Sequence, residues 1–451
     1  MAGIAGSFIG LVLGGVLGPI SWRYVFLVSV PFGVLGTIWS YLKLRELGVR
    51  RPAALDWWGN VTFAAGLVAV LAGITYGIQP YGGHTMGWTS PLVIGLVGGG
   101  LAMLVIFGVI ETRVAEPMFR LSLFRIRPFT AGNLANLLAG LGRGGLMFIL
   151  IIWLQGIYLP IHGYSFSQTP LWAGIAMLPL TAGFLVAGPV SGWLSDRFGA
   201  RPFATGGMLV AAASFAALQF LPVDFVYWQF AGILLLNGIG MGLFASPNRA
   251  GIMNSLPANQ RGVGAGMAAT FQNSATVLSM GIFFSLMIAG LASTLGGTLT
   301  HGLTAQGVPA AVADRAGSLP PVATLFASLL GFNPVQQLLG NSASSLPPDK
   351  LHYVTGRQFF PQLISGPFHH GLQVAFLFAV IACLVAAWAS WLRGGKYHYV
   401  EGAELGRTAV TATATHEPVL VAADAGAADG IPGAGSMAPE TTPGSERRSS
   451  A

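Results

Sequence analysis

Ten apolar runs of about bilayer length, separated by short polar breaks, constrain this chain more than any other feature. They fall near 4–20, 23–42, 57–78, 90–111, 128–158, 170–194, 203–221, 226–247, 262–293 and 368–392. A helix rises about 1.5 Å per residue, so about 20 apolar residues cross a hydrocarbon core of about 30 Å. Backbone in lipid must satisfy its own hydrogen bonds, which leaves helices as the form such runs take. The chain therefore reads as all-α, a polytopic helical membrane protein of about ten spans. Only 8% of its residues are charged, against about 25% in soluble domains. Runs longer than about 20 residues imply tilted helices. The first run starts without a basic lead-in, so a cleaved signal peptide is not expected.

The positive charges are distributed by loop. Lys43, Arg45, Arg50, Arg51, Arg113, Arg120, Arg125, Arg127, Arg197, Arg201, Arg249, Arg261, Arg393 and Lys396 occupy alternate connections, fourteen in all. The opposite loops hold Arg23, Arg315, Lys350 and Arg357, three of them in one long segment. The positive-inside rule places the fourteen in the cytoplasm and both termini with them. A net charge of +7 thus reports loop topology, and no nucleic-acid partner is expected. The lipid bilayer is the expected surrounding. Cys383 is the one cysteine and lies inside an apolar run, which leaves no disulfide framework or zinc motif. His301, His352, His369 and His370 have no metal-ligand spacing, so no metal and no cofactor is expected. No HExxH, Ser/His/Asp set or paired intramembrane Asp points to an enzyme.

The most abruptly polar stretch is Gly188–Pro202, between two uncharged runs. Within it Gly192-x-Leu-Ser-Asp196-Arg197-x-Gly199-Ala-Arg201 resembles the signature cytoplasmic loop of the major facilitator superfamily of transporters. Gly192 lets a helix end approach its neighbour and Gly199 permits the turn, while Asp196 is placed to pair with a base or cap the next helix. The first run carries Gly6-x-x-x-Gly10-Leu11-x-x-Gly14-Gly15. It is similar to the antiporter motif of drug-exporting facilitators, with Leu11 where that motif has proline. Small residues at this spacing give a smooth face for close helix contact.

The resemblance implies the 14-span drug:proton antiporter branch, built as six, two and six helices. This chain reads as two, two and six: 1–42 as the last two helices of an N-terminal bundle, 43–127 as the central extra pair with its loops, and 128–393 as a complete six-helix bundle. The first four family helices are missing from that register. Residues 294–366 read as an extracytoplasmic loop with short helices near Pro321–Leu330 and Pro334–Leu339. Residues 394–451 collapse to Ala, Gly, Thr, Ser and Pro and read as a disordered cytoplasmic tail.

What the resemblance implies for function is export of drugs or hydrophobic metabolites across the cell membrane by alternating access, with the proton gradient as coupling ion and a small molecule as substrate. The alternative is an inactive truncated fragment that only binds a membrane partner. Oligomeric state is not legible. Transport candidates are the polar side chains inside spans: Arg143, in a glycine collar of Gly140, Gly142, Gly144 and Gly145, with Asn133, Asn136 and Gln155 on the same run, and Asn237, Gln272 and Asn273 elsewhere in the half. Arg143 at mid-depth would cost about 2.5–3.5 kcal/mol on insertion scales, so it should face a cavity or a partner. Asp56 opens the third run beside Trp57 and Trp58, a placement suited to a helix N-terminus at the membrane interface. Arg249 and Arg261 read as an ordinary loop pair.

Overall fold

The computed structural model describes Gly6, Gly10 and residues 13–18, 20–43, 56–84 and 86–394. Among the described residues nine helices are long and apolar enough to cross a membrane. They are α1 (Trp22–Lys43), α2 (Trp57–Gly77), α3 (Pro91–Glu111), α4 (Arg127–Ile161), α5 (Thr169–Phe198), α6 (Ala200–Phe220), α7 (Tyr227–Asn254), α8 (Arg261–Ala305) and, after four short helices, α13 (Phe359–Trp391). The short ones are α9 (Ala310–Gly317), α10 (Pro321–Leu329), α11 (Pro334–Leu339) and α12 (Pro348–Thr355). About half of the first expected span, and the tail after Gly394, lie outside the described residues.

Glycine sets the spacing of the helix bundle. A side chain at Gly207 on α6 would come within 2.6 Å of the Gly240 carbonyl on α7, and one at Gly240 within 2.8 Å of the Gly207 carbonyl. Gly242 meets Ala187 of α5 in the same way, and Gly290 of α8 meets Gly371 of α13. With no hydrophobic drive between helices in lipid, such backbone contact is what dispersion and weak C–H···O bonds need. Between these seams sits an aromatic centre. Trp153 is fully buried against Phe225, Phe230 and Phe376, and its indole N–H donates to the Val223 carbonyl at 3.3 Å.

Helix pair α2–α3 uses the same device on its own. Gly66 and Gly100 face each other, each within 3.0 Å of the other's carbonyl if given a Cβ. Gly82 and Gly83, at φ of 60° and 82°, close the turn between the two helices. The pair leans on the bundle where Gly281 of α8 admits Ile74 of α2. Helix α1 contrasts with both, since none of its residues is buried.

Two spans outrun their apolar runs the most. The run 262–293 continues as helix to Ala305, because Leu295, Leu299 and Leu303 keep a buried stripe through Thr- and Gly-rich sequence. They pack with Val312, Ala313 and Ala316 of α9 in the same core. The last span begins at Phe359 rather than 368, with Phe359, Phe360 and Ile364 buried ahead of Pro367. The connection between spans is therefore 306–358, shorter than the expected 294–366.

Candidate functional site

Helix α4 is broken where the sequence places its arginine. Regular helix ends at Arg143, and a new helical segment starts at Leu146. The break is repaired from α8: the Ser279 hydroxyl donates to the Leu141 carbonyl and accepts from the Gly145 N–H at 2.9 Å. The glycine collar does not leave open space around Arg143, as its composition suggests. Ala275 and Thr276 of α8 press on Gly140 and Gly144, Phe283 on Gly145, and Cys383 of α13 on Gly142. The collar is filled, and it turns the arginine to one side.

On that side lies a cavity of about 270 Å³ among α4, α7 and α8. Its polar lining is Arg143, Asn136, Asn248, Arg249, Gln272 and Asn273, against Met241, Phe244, Ile252 and Met253. Four of the seven candidates from sequence, Arg143, Asn136, Gln272 and Asn273, thus meet in one place. The Asn136 amide donates to the Ala268 carbonyl at 3.2 Å, which bridges α4 to α8. The Arg143 guanidinium lies 5.0 Å from the centre of the Phe184 ring, a cation–π contact. Two arginines and four carboxamides with no carboxylate make a cationic, donor-rich site with an apolar wall.

The other three candidates stand apart. Asn133 is buried and returns its amide to the Phe129 carbonyl at 3.0 Å, four residues back. Asn237 is fully buried and donates to Ser214 on α6 at 2.7 Å, a helix–helix tie. Gln155 sits in a π-helical turn, Trp153–Tyr158, and lines a second cavity of about 390 Å³ with Asn333 and Arg357. π-turns often occur at functional sites.

Sequence reasoning missed Asn248 and Arg249, which belong to α7 rather than to a loop. It also took Arg393 for an ordinary loop charge. Arg393 is only 5% exposed, and its guanidinium donates to the Asn248 side-chain oxygen. Gly132 and Gly251 make the space, since a Cβ at either would lie within 3.1 Å of the guanidinium. Burial pulls Arg393 down to about 10, so it remains cationic at neutral pH. The glycines at 132 and 251 were the available signal, but only the fold brings them together around one side chain.

The polar turn forms as its glycines require. Gly199, at φ of 90°, separates α5 from α6, and Gly192 faces the Ser246 hydroxyl of α7. Asp196 is exposed and does not cap α6, whose N-cap position is Gly199 itself, without a side-chain bond. Arg197 stacks on Trp193 and Arg201 on Trp391 of α13, while the Arg127 guanidinium donates to the Leu392 carbonyl at 2.9 Å. Arg127, Arg201 and Arg393 thereby gather at one end of the bundle. Of the four antiporter-like glycines, Gly15 alone meets another helix: a Cβ there would lie 2.8 Å from the Leu171 backbone on α5. Gly6, Gly10 and Gly14 face open space.

Asp56 does cap its helix, accepting from the Gly59 N–H at 2.8 Å. Among the described residues no group of three or more His, Cys, Asp or Glu is placed to hold a metal.

Residues 112–280 match the sequence model of the Major Facilitator Superfamily. Similar curated proteins include the multidrug transporter protein MdtP of Bacillus subtilis, 27% identical over 325 residues, which is 72% of this chain and 55% of that protein. The tetracenomycin C resistance and export protein of Streptomyces glaucescens is 27% identical over 332 residues, 71% of this chain and 58% of that protein. The puromycin resistance protein pur8 of Streptomyces alboniger is 29% identical over 315 residues, 66% of this chain and 59% of that protein. The chain spans about half the length of the curated relatives it matches. The matched region holds the α4 break, the polar turn and the whole cavity lining, so the part of the chain that is similar to the Major Facilitator Superfamily is the part that builds the site, within a set of helices long and apolar enough to cross a membrane.

Proposed function

We propose that this chain takes part in export of drugs or hydrophobic metabolites across the cell membrane, by alternating access coupled to protons. The observation that carries the reading is the cavity where Arg143, Asn136, Asn248, Arg249, Gln272 and Asn273 converge against an apolar wall. Mostly apolar pockets with a few placed polar groups are how proteins hold small organic molecules. Relatives named for multidrug transport, for tetracenomycin C resistance and export, and for puromycin resistance support a substrate of that kind. Glycine seams between rigid helices suit rocking of one bundle against another. Both termini and the arginine-rich end of the bundle face the cytoplasm in this reading, with 306–358 outside.

The test is dye or antibiotic accumulation in cells expressing the chain. Expression lowers accumulation, an uncoupler restores it, and Arg143→Ala restores it with the protein still inserted. Arg143→Lys keeps part of the activity, since the charge survives without the planar fork. Export by Arg143→Ala at the unaltered rate removes the cavity from the mechanism. Impermeant labelling of Arg120→Cys in a Cys383→Ser background reads the sidedness; labelling from outside reverses it.

A further inference from the structure

The buried acids of this chain lie away from its cavity. Asp56 is 8% exposed and Glu111 4%, and they meet where α2 begins and α3 ends. One oxygen of each is engaged, Asp56 Oδ1 accepting from the Gly59 N–H at 2.8 Å and Glu111 Oε2 from the Phe119 N–H at 2.9 Å. The second oxygen of each, Asp56 Oδ2 and Glu111 Oε1, is buried and unpartnered by any donor. Both turn to the same point over Gly59, where even a methyl group would touch the two carboxyl groups. The two free oxygens are thus neighbours, each within about 3 Å of the position a Cβ on Gly59 would take.

Among the described residues the surroundings supply no counter-charge. Around the two acids α2 presents Gly59, whose N–H is already used, and Asn60, whose amide donates to the Asp56 carbonyl. The connection presents the buried ring of Phe119, packed on Phe63 of α2, Phe107 of α3 and Phe271 of α8. Arg113, Glu116 and Arg120 of that connection are exposed. Asp56 and Glu111 are thus the titratable groups that face the site from the described residues packed around it.

Two neighbouring buried carboxylates resist ionising together where the described residues supply no cation, whereas one proton shared between them turns repulsion into attraction. A divalent cation asks for six or more oxygens, and two unpartnered oxygens over a glycine do not supply them. We infer that Asp56 and Glu111 form a proton-binding site between α2 and α3, holding one shared proton at neutral pH. Its loss sets like charges against each other beside the Phe119 N–H that Glu111 holds. Phe119 in turn packs on Phe271, next in sequence to the cavity residues Gln272 and Asn273.

Infrared titration of the chain in lipid vesicles tests this, with Glu111→Gln and Asp56→Asn as probes. Both variants keep the shape of the site, since Asn still caps α2 and Gln still accepts from Phe119. The expected result is a protonated-carboxyl C=O band at pH 7 in the wild type, lost in Glu111→Gln. In Asp56→Asn its titration midpoint falls by a unit or more, because the like charge is gone. The inference is overturned by a wild type with no protonated carboxyl at pH 7, or by a midpoint that Asp56→Asn leaves in place. Removal of the band at pH 7 by millimolar calcium likewise overturns it, in favour of a cation site. Should either variant fail to fold, the other variant and the wild-type titration give the same decision.

Discussion

The six-helix bundle and helix pair α2–α3 pack by the same glycine rule but handle charge in opposite ways. The bundle lines its cavity with Arg143 and Arg249 and buries Arg393 beneath it, with no carboxylate in the lining. The pair buries Asp56 and Glu111 with no cation among the described residues around them. In most proteins such groups would be brought together as ion pairs, because a lone buried charge is costly. Here each sign is kept in its own region. In the reading proposed above, something that comes and goes balances each, an acceptor-bearing substrate for the cavity cations and a proton for the acids. A carrier can use such sites because an internal salt bridge does not already satisfy them.

The largest expected effect concerns the packing rule the two regions share. Gly238 of α7 lies against the Leu180 carbonyl of α5, so Gly238→Val forces the two backbones apart. Overpacking of this kind costs about 1–3 kcal/mol, and more where backbone is struck. Thermal unfolding in detergent should show a large fall in Tm, whereas Gly98→Val, in open space on α3, should leave it nearly in place. Equal sensitivity at the two positions would mean that glycine is not setting the seam.

Next comes the buried cation. Asn248→Ala removes the acceptor of Arg393 and leaves a buried guanidinium unsatisfied, for about 1–3 kcal/mol of stability. Arg393→Leu removes the charge itself and should cost less, and the double variant should be no worse than Asn248→Ala. A double-mutant cycle by denaturant unfolding checks this. Additive losses would show that the pair is not coupled.

A smaller effect is expected at the exposed turn. Asp196→Asn should slow export severalfold while the unfolding transition stays put, because Asp196 caps nothing and is open to solvent. A fall in Tm without a change in rate would assign it a folding role instead. The smallest difference separates neighbouring glycines. Gly15→Ala should lower stability by about 1 kcal/mol through its contact with the Leu171 backbone, and Gly14→Ala should be neutral or slightly stabilising. The reverse order would place the contact face of the first run elsewhere.

Helical class and the position of nine of the ten expected crossings could be read from the sequence of this chain, for a physical reason. Lipid forces each crossing to be a long apolar helix, and that requirement is local in sequence. The Gly199 turn and the Asp56 cap were legible on the same ground, since each involves residues at most three apart. Helix ends were less so: Leu295, Leu299 and Leu303 extend α8 through polar sequence because α9 folds back to cover them. What tertiary structure alone decided is which polar residue meets which. Asn136 and Asn133 are three apart, yet one lines the cavity and the other bonds its own helix. Asn248, Arg393, Gly132 and Gly251 come from distant segments and form one buried cluster, and Asp56 finds Glu111 across fifty-five residues. Those meetings depend on helix rotation and crossing, which are set by glycine contacts between distant segments and carry no local signature.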